Sequence, residues 1–132
     1  MSTTSPSLAL LIAPPGRLRE GLRAVLANCP DITLAEDEAR NHAQTLALMK
    51  NLAPALVVLD FGLAEDILAL LADIKHAWPA TRSLVIVDHL RQLESARAAG
   101  ADHVLWRGFE TQELYAVIHA LRPALPLPVD NR

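Results

Sequence analysis

Pro54-Ala55-Leu56-Val57-Val58-Leu59-Asp60-Phe61-Gly62-Leu63 decides the fold of this chain. From Ala55 to Leu59 no polar residue interrupts the run, and a single carboxylate, Asp60, ends it. A short continuous apolar run of this kind suits a parallel strand covered on both faces. A carboxylate at the mouth of such a strand is costly unless it is paired or used. Asp60 is therefore the first candidate functional residue.

Working outward, Ser7 to Ala13 is a second apolar run of strand length, stopped by Pro14-Pro15-Gly16. Leu18, Leu22, Val25, Leu26 and Cys29 follow at helical spacing, giving a helix to about Asn28. Asp31 to Glu36 alternates Ile32 and Leu34 with polar residues and reads as a less buried strand. Asn41, with Gln44 three residues on, reads as the cap of a helix that ends before Pro54. A third helix carries Ile67, Leu70, Leu71, Ile74 and Trp78 on one stripe and stops at Pro79. Ser83 to Val87 is a fourth strand. Leu90, Leu93 and Ala96 continue as a helix ended by Gly100. Val104-Leu105-Trp106 is a short fifth strand. Thr111 is expected to cap a last helix with the stripe Leu114, Val117, Ile118 and Leu121. Strands and helices thus alternate five times. That implies a three-layer α/β fold, a parallel sheet with helices on both faces, with the common strand order 2-1-3-4-5. Residues 1–7 are expected as a disordered tail, 8–122 as the folded domain, and 123–132, with three prolines, as a tail or linker.

Composition limits the function classes. At 132 residues the chain makes one domain, and 52% hydrophobic against 20% charged residues is a globular composition. A formal charge of −3 offers no basic footprint, so direct nucleic-acid binding is not expected. One cysteine, Cys29, excludes an internal disulfide framework. No apolar stretch reaches the ~20 residues that span a bilayer, and Met1 to Ser7 carries no positive charge typical of a signal peptide. A cytoplasmic protein without membrane contact is the expectation. His42, His76, His89, His103 and His119 lack metal-ligand spacing and read as surface residues.

Several segments together resemble the receiver domains of response regulators, the CheY-like superfamily, over about residues 8–122. Arg19-Glu20-Gly21-Leu22 with Leu26 resembles the first helix of receivers from DNA-binding regulators. The opening stretch resembles the third strand and phosphorylation loop. Gly100-Ala101-Asp102 and Val104-Leu105-Trp106-Arg107 resemble the approach to the fifth strand, and Gln112-Glu113-Leu114 the start of the last helix. The resemblance implies a flavodoxin-like receiver fold and a role in phosphorelay signalling, with Asp60 at the phospho-acceptor position. It also implies Mg²⁺, held by an acidic pair ending the first strand. Those positions match Ala13 and Pro14, which offer no carboxylate. The family's hydroxyl residue at the end of the fourth strand matches Val87, its lysine after the fifth strand matches Arg107, and its switch aromatic matches Val104. The loop after Asp60 reads Ala64-Glu65-Asp66 where the family has a proline and glycine pair.

The expectation is an atypical receiver, not an enzyme and without a cofactor. It would work by protein–protein contact with a histidine kinase or output domain and as a homodimer. Leu90, Leu93, Val104, Tyr115 and His119 are the candidate interaction face. Trp106 reads as core or as a partner contact. Two alternatives stay open: a conventional Mg²⁺-dependent phosphorylated receiver with a rearranged pocket, and a small-ligand sensor with an apolar cavity beside Ala13, Pro14 and Val87. Asp88, Glu36, Asp37 and Glu38 read as solvated loop charges, with Asp88 close enough to strand four to reach the crevice. An Asp60–Arg107 ion pair would neutralise the buried carboxylate without metal.

Overall fold

The computed structural model describes residues 7–39, 41–62 and 66–121. The expected tails, apart from Ser7, and the loop at Ala64 and Glu65 lie outside these. Ten elements alternate in chain order: β1 (Ser7–Ile12), α1 (Arg17–Ala27), β2 (Ile32–Leu34), α2 (His42–Leu52), β3 (Leu56–Asp60), α3 (Ile67–Ala77), β4 (Arg82–Val87), α4 (Leu90–Ala98), β5 (His103–Trp106) and α5 (Thr111–Leu121). The sheet is parallel throughout, in the order β2-β1-β3-β4-β5. The expected α/β receiver architecture is the one found.

The alternation of side chains along the strands divides the core into two layers. Ala9, Leu11, Val58, Leu84, Ile86 and Leu105 face α1 and α5, meeting Leu22, Leu26, Leu114 and Ile118. Leu10, Ile12, Val57, Leu59, Val85 and Val87 face the other way, against Met49, Ile67, Leu70, Leu71, Ile74 and Ala96. Two buried faces explain why β1, β3 and β4 read as unbroken apolar runs. β2 pairs with one neighbour and is shorter than expected: Ala35 still donates to the Ala9 carbonyl at 2.8 Å, after which Glu36 to Glu38 leave the sheet.

Local signals place most boundaries. The Asn41 side chain accepts the Gln44 N–H at 2.8 Å, as the capping pattern predicts. Thr111 is a correction. It is the first residue of α5, and the preceding Glu110 carbonyl accepts from Glu113 and Leu114 at 2.9 and 3.1 Å. Ser7 is another, since it opens β1 and pairs with Ile32 rather than belonging to a tail.

Gly100 closes α4 in a Schellman turn. Its N–H bonds the Arg97 carbonyl at 3.1 Å, and Ala101 N–H bonds the Ala96 carbonyl at 3.0 Å. Its φ of +103° lies where a side chain is strained, and a Cβ there would touch Lys75 Cε at 3.4 Å. Gly100→Ala is expected to lower stability by about 1–2 kcal/mol in a thermal melt. An unchanged midpoint would show that the turn relaxes freely.

Beside this turn lies a feature that sequence reading did not single out. The Asp102 carboxylate accepts from the Ser83 N–H at 2.8 Å and the Ser83 hydroxyl at 3.2 Å, and from Arg82 and Lys75 at 3.3 and 3.5 Å. It fixes α3, β4 and β5 together at the end of the sheet opposite Asp60.

Candidate functional site

In the strand order found, β1 and β3 are neighbours from which the chain winds outward in opposite directions, so a crevice opens at their C-terminal ends. Asp60 is the last residue of β3 and is 1% exposed. Its Oδ1 accepts the Gly62 N–H at 2.9 Å in an Asx-type turn. A Cβ at Gly62 would lie 3.3 Å from that oxygen and 3.4 Å from Arg107 Nη2. The absence of a side chain there lets backbone and guanidinium share one carboxylate oxygen.

Arg107 follows β5 directly, and its own N–H donates to the Val87 carbonyl at 2.8 Å, extending the sheet by one bond. From that position its side chain crosses the strand ends. Nη2 donates to Asp60 Oδ1 at 2.8 Å, while Nε donates to Asp88 Oδ1. The ion pair expected from the sequence is therefore present, and Asp88 extends it. Asp88 is half-exposed, but it is a partner of Arg107 rather than a solvated loop charge. Gln92 completes the chain by accepting the Asp88 N–H at 2.7 Å. The planar fork of arginine suits this double contact in a way an ammonium would not.

The hydrogen bond to Asp88 raises the Arg107 pKa above its ordinary value; partial burial opposes this, and Asp60 adds to it. For a cation the sign is simple. The stabilisation is fully present below the ordinary pKa and is lost only as pH rises through the higher folded value. Arg107 is thus a resident cation that does not titrate near neutral pH.

The remaining candidates are placed as follows. Ala13 directly follows β1 and is buried, next to the half-buried Pro14. Val87 is fully buried in the core layer that faces α2, α3 and α4. The Mg²⁺ that the fold family implies does not fit these residues. Ala13 and Pro14 supply no side-chain oxygen, and the Asp60 oxygen that accepts from Gly62 also holds Arg107. Among the described residues, no three His, Cys, Asp or Glu side chains converge on a point that could hold an ion. Glu38 binds the buried Arg19 of α1 at 2.7 Å. A cleft lined by Arg17, Leu18, Gly21, Leu22, Val25, Phe109 and Thr111 lies between α1 and the start of α5, not beside Ala13, Pro14 and Val87.

The five candidate interaction residues fall on two sides of the sheet. Leu90, at the start of α4, is 58% exposed, and Leu93 and Val104 are half-buried against the α2, α3 and α4 layer. Tyr115 lies on the other side, where its hydroxyl donates to the Val25 carbonyl of α1 at 3.1 Å. His119 Nδ1 is 3.4 Å from Asp31 Oδ2. Trp106 is 44% exposed and, with Leu90, is one of two exposed large hydrophobic residues among those described. Gly62, Asp88 and Gln92 are site residues that periodicity could not find. The available signal for Asp88 was its charge directly after a buried strand.

No family model matches the chain. It is 30% identical over 122 residues to the nitrate/nitrite response regulator protein NarL of Escherichia coli strain K12, covering 90% of this chain and 56% of NarL. The chain thus spans little more than half the length of the curated relatives it matches. Among solved structures, NtrX from Brucella abortus is 27% identical with a TM-score of 0.76, covering 91% of this chain and 28% of NtrX. A LuxR-family two-component response regulator from Aurantimonas sp. SI85-9A1 superposes with a TM-score of 0.79 at 24% identity, covering 90% of this chain and 87% of that one. The signal receiver domain of the response regulator NarL from Mycobacterium tuberculosis has a TM-score of 0.78 at 22% identity, covering 90% and 98%. The last two bear on the fold alone.

Proposed function

Because this chain is a receiver domain homologous to NarL- and LuxR-type response regulators, we propose that it serves two-component signalling as an atypical receiver. It would work by protein–protein contact, with Mg²⁺-dependent phosphorylation at Asp60 impaired. The observation that carries this reading is the Arg107 guanidinium bonded to Asp60 at 2.8 Å, with Ala13 and Pro14 where metal-binding acids would stand. Phosphoryl transfer depends on positioning and on cations that neutralise the transferring oxygens. Magnesium needs oxygen ligands in near-octahedral array. Asp60 alone, already holding a cation, meets neither need.

Incubation with a small phosphodonor, with and without Mg²⁺, followed by intact-mass measurement is the direct test. No Mg²⁺-dependent phosphoryl adduct is expected. An adduct that forms with Mg²⁺ and disappears in Asp60→Asn would establish the conventional receiver instead. A second measurement uses Trp106, which adjoins Arg107, in a Trp78→Phe background. Its emission should be flat across millimolar Mg²⁺, whereas a saturable change lost in Asp60→Asn would reveal a metal site.

The partners proposed are signalling proteins, a histidine kinase or an output domain, and a second copy of the chain. Exposed Leu90 and Trp106 support a contact face on α4 and β5. Light scattering over a concentration series should show a dimer that Leu90→Asp weakens; a strict monomer at high micromolar concentration would count against self-association.

A further inference from the structure

Helix α4 buries fewer residues completely than any other helix of the fold. Ala96 is its one buried residue, whereas α3 buries Ile67, Leu70, Leu71 and Ile74. Its cap residue, His89, makes no side-chain capping bond, and its first turn holds no acidic residue. A side-chain cap and a first-turn acid are therefore absent, and the Gln92 side chain, which reaches back to the Asp88 N–H, is a polar contact at this helix start. Segments with few buried contacts open most readily.

A chain of bonds runs from the site to this end of α4. Gln92 accepts the Asp88 N–H, Asp88 accepts Arg107 Nε, and Arg107 Nη2 reaches Asp60. The side chain of Val87, which ends β4, has no hydroxyl and adds no polar link. The Arg107–Asp88 contact is partly exposed on both sides, at 33% and 43%, whereas Asp60 is 1% exposed. Partly exposed pairs hold weakly by themselves because two flexible side chains must be ordered in water. The buried oxygen of Asp60 fixes one arm of the guanidinium, so the other arm is presented to Asp88 already oriented.

We infer that Asp88 is a positioning residue: through Arg107 it latches the start of α4 to the Asp60 carboxylate, so that a change at Asp60 alters α4 with no metal taking part. The inference rests on the reading of Arg107 as the resident cation of the site. It adds a route by which the site governs the helix that carries exposed Leu90. Losing the Asp60 bond releases the guanidinium to swing out on its flexible stem, and Asp88 loses a fixed donor.

Native-state hydrogen exchange of the backbone amides at residues 88–94 reads the latch. Asp88→Ala and Asp60→Ala should each speed exchange there roughly threefold or more, with α2 and α3 unchanged. The double variant should exchange no faster than Asp88→Ala alone. Arg107→Lys keeps the charge but not the fork, and should behave like Asp88→Ala. Asp60→Asn keeps an acceptor and should fall between the wild type and Asp60→Ala, which serves if the alanine variant folds poorly. Additive effects in the double variant, or an Asp60 effect confined to the turn at Phe61 and Gly62, would overturn the latch. Mg²⁺-dependent labelling of a protein that shows the expected exchange pattern would overturn the proposed function and leave the latch standing.

Discussion

Arg107→Ala is expected to lower the stability of the domain by about 3 kcal/mol in urea denaturation, and Asp60→Asn to relieve part of that loss. Asp60 is 1% exposed, and without Arg107 its remaining partner among the described residues is the Gly62 N–H. A buried carboxylate deprived of its counter-charge bears the full desolvation cost, and breaking such pairs typically costs about 3–5 kcal/mol. The lower end applies because the Arg107 side chain is itself 33% exposed and gives up less on release. Asp60→Asn alone costs less, about 1 kcal/mol, since the amide still accepts a hydrogen bond and the freed guanidinium reaches water. The double variant Asp60→Asn with Arg107→Ala should therefore be more stable than Arg107→Ala. The cycle should give a coupling of about 1–2 kcal/mol. A coupling near zero would mean that the two side chains ignore each other in solution. Asp60 would then be open to magnesium, and the conventional receiver would be the better reading.

Asp102→Ala is expected to be as costly for a different reason. The carboxylate is 13% exposed and satisfies the Ser83 N–H and hydroxyl, and Ser83 is fully buried. Removing it orphans a buried backbone donor, at about 1–3 kcal/mol. It also leaves Lys75 and Arg82 without their shared anion. The summed expectation is about 2–4 kcal/mol, read from the urea midpoint at constant slope. Asp102→Asn should recover roughly half, because its carbonyl oxygen can still accept from Ser83 while the charge is gone. If Asp102→Ala were within experimental error of the wild type, the bonds at this end of the sheet would be replaceable by water, and β4 and β5 would owe their register to packing alone.

The two predictions test different ends of one sheet, and only one end was legible in the sequence. Asp60 stood out because a charge ending an apolar strand breaks a simple pattern. Arg107 stood out by its place after β5. Asp102 sits in a polar turn where a charge is unremarkable, so its four donors could not be read from spacing. Gln92 gave no signal either, whereas Asp88 was marked by its charge directly after a buried strand but not by its partner. Tyr115 and His119 show the converse, since helical spacing placed them on α5 but did not say that α5 lies against α1 and away from Leu90.

What the sequence by itself determined is the order and type of the elements and the division into two core layers. Both follow from periodicity, which is a local property carried by neighbouring residues: unbroken apolar runs for strands buried on both faces, and three-to-four spacing for helices. It also put Ala13, Pro14 and Val87, none with a side-chain oxygen, at the positions that match the metal- and phosphoryl-binding residues of the family it resembles. Only the tertiary structure decided what the crevice does contain. Asp60 and Arg107 are 47 residues apart and Arg107 and Asp88 are 19 apart. They meet because β3, β4 and β5 lie side by side in that order with their ends level. Whether a guanidinium forks between two carboxylates or points to water depends on distances across strands, and no spacing along the chain encodes them.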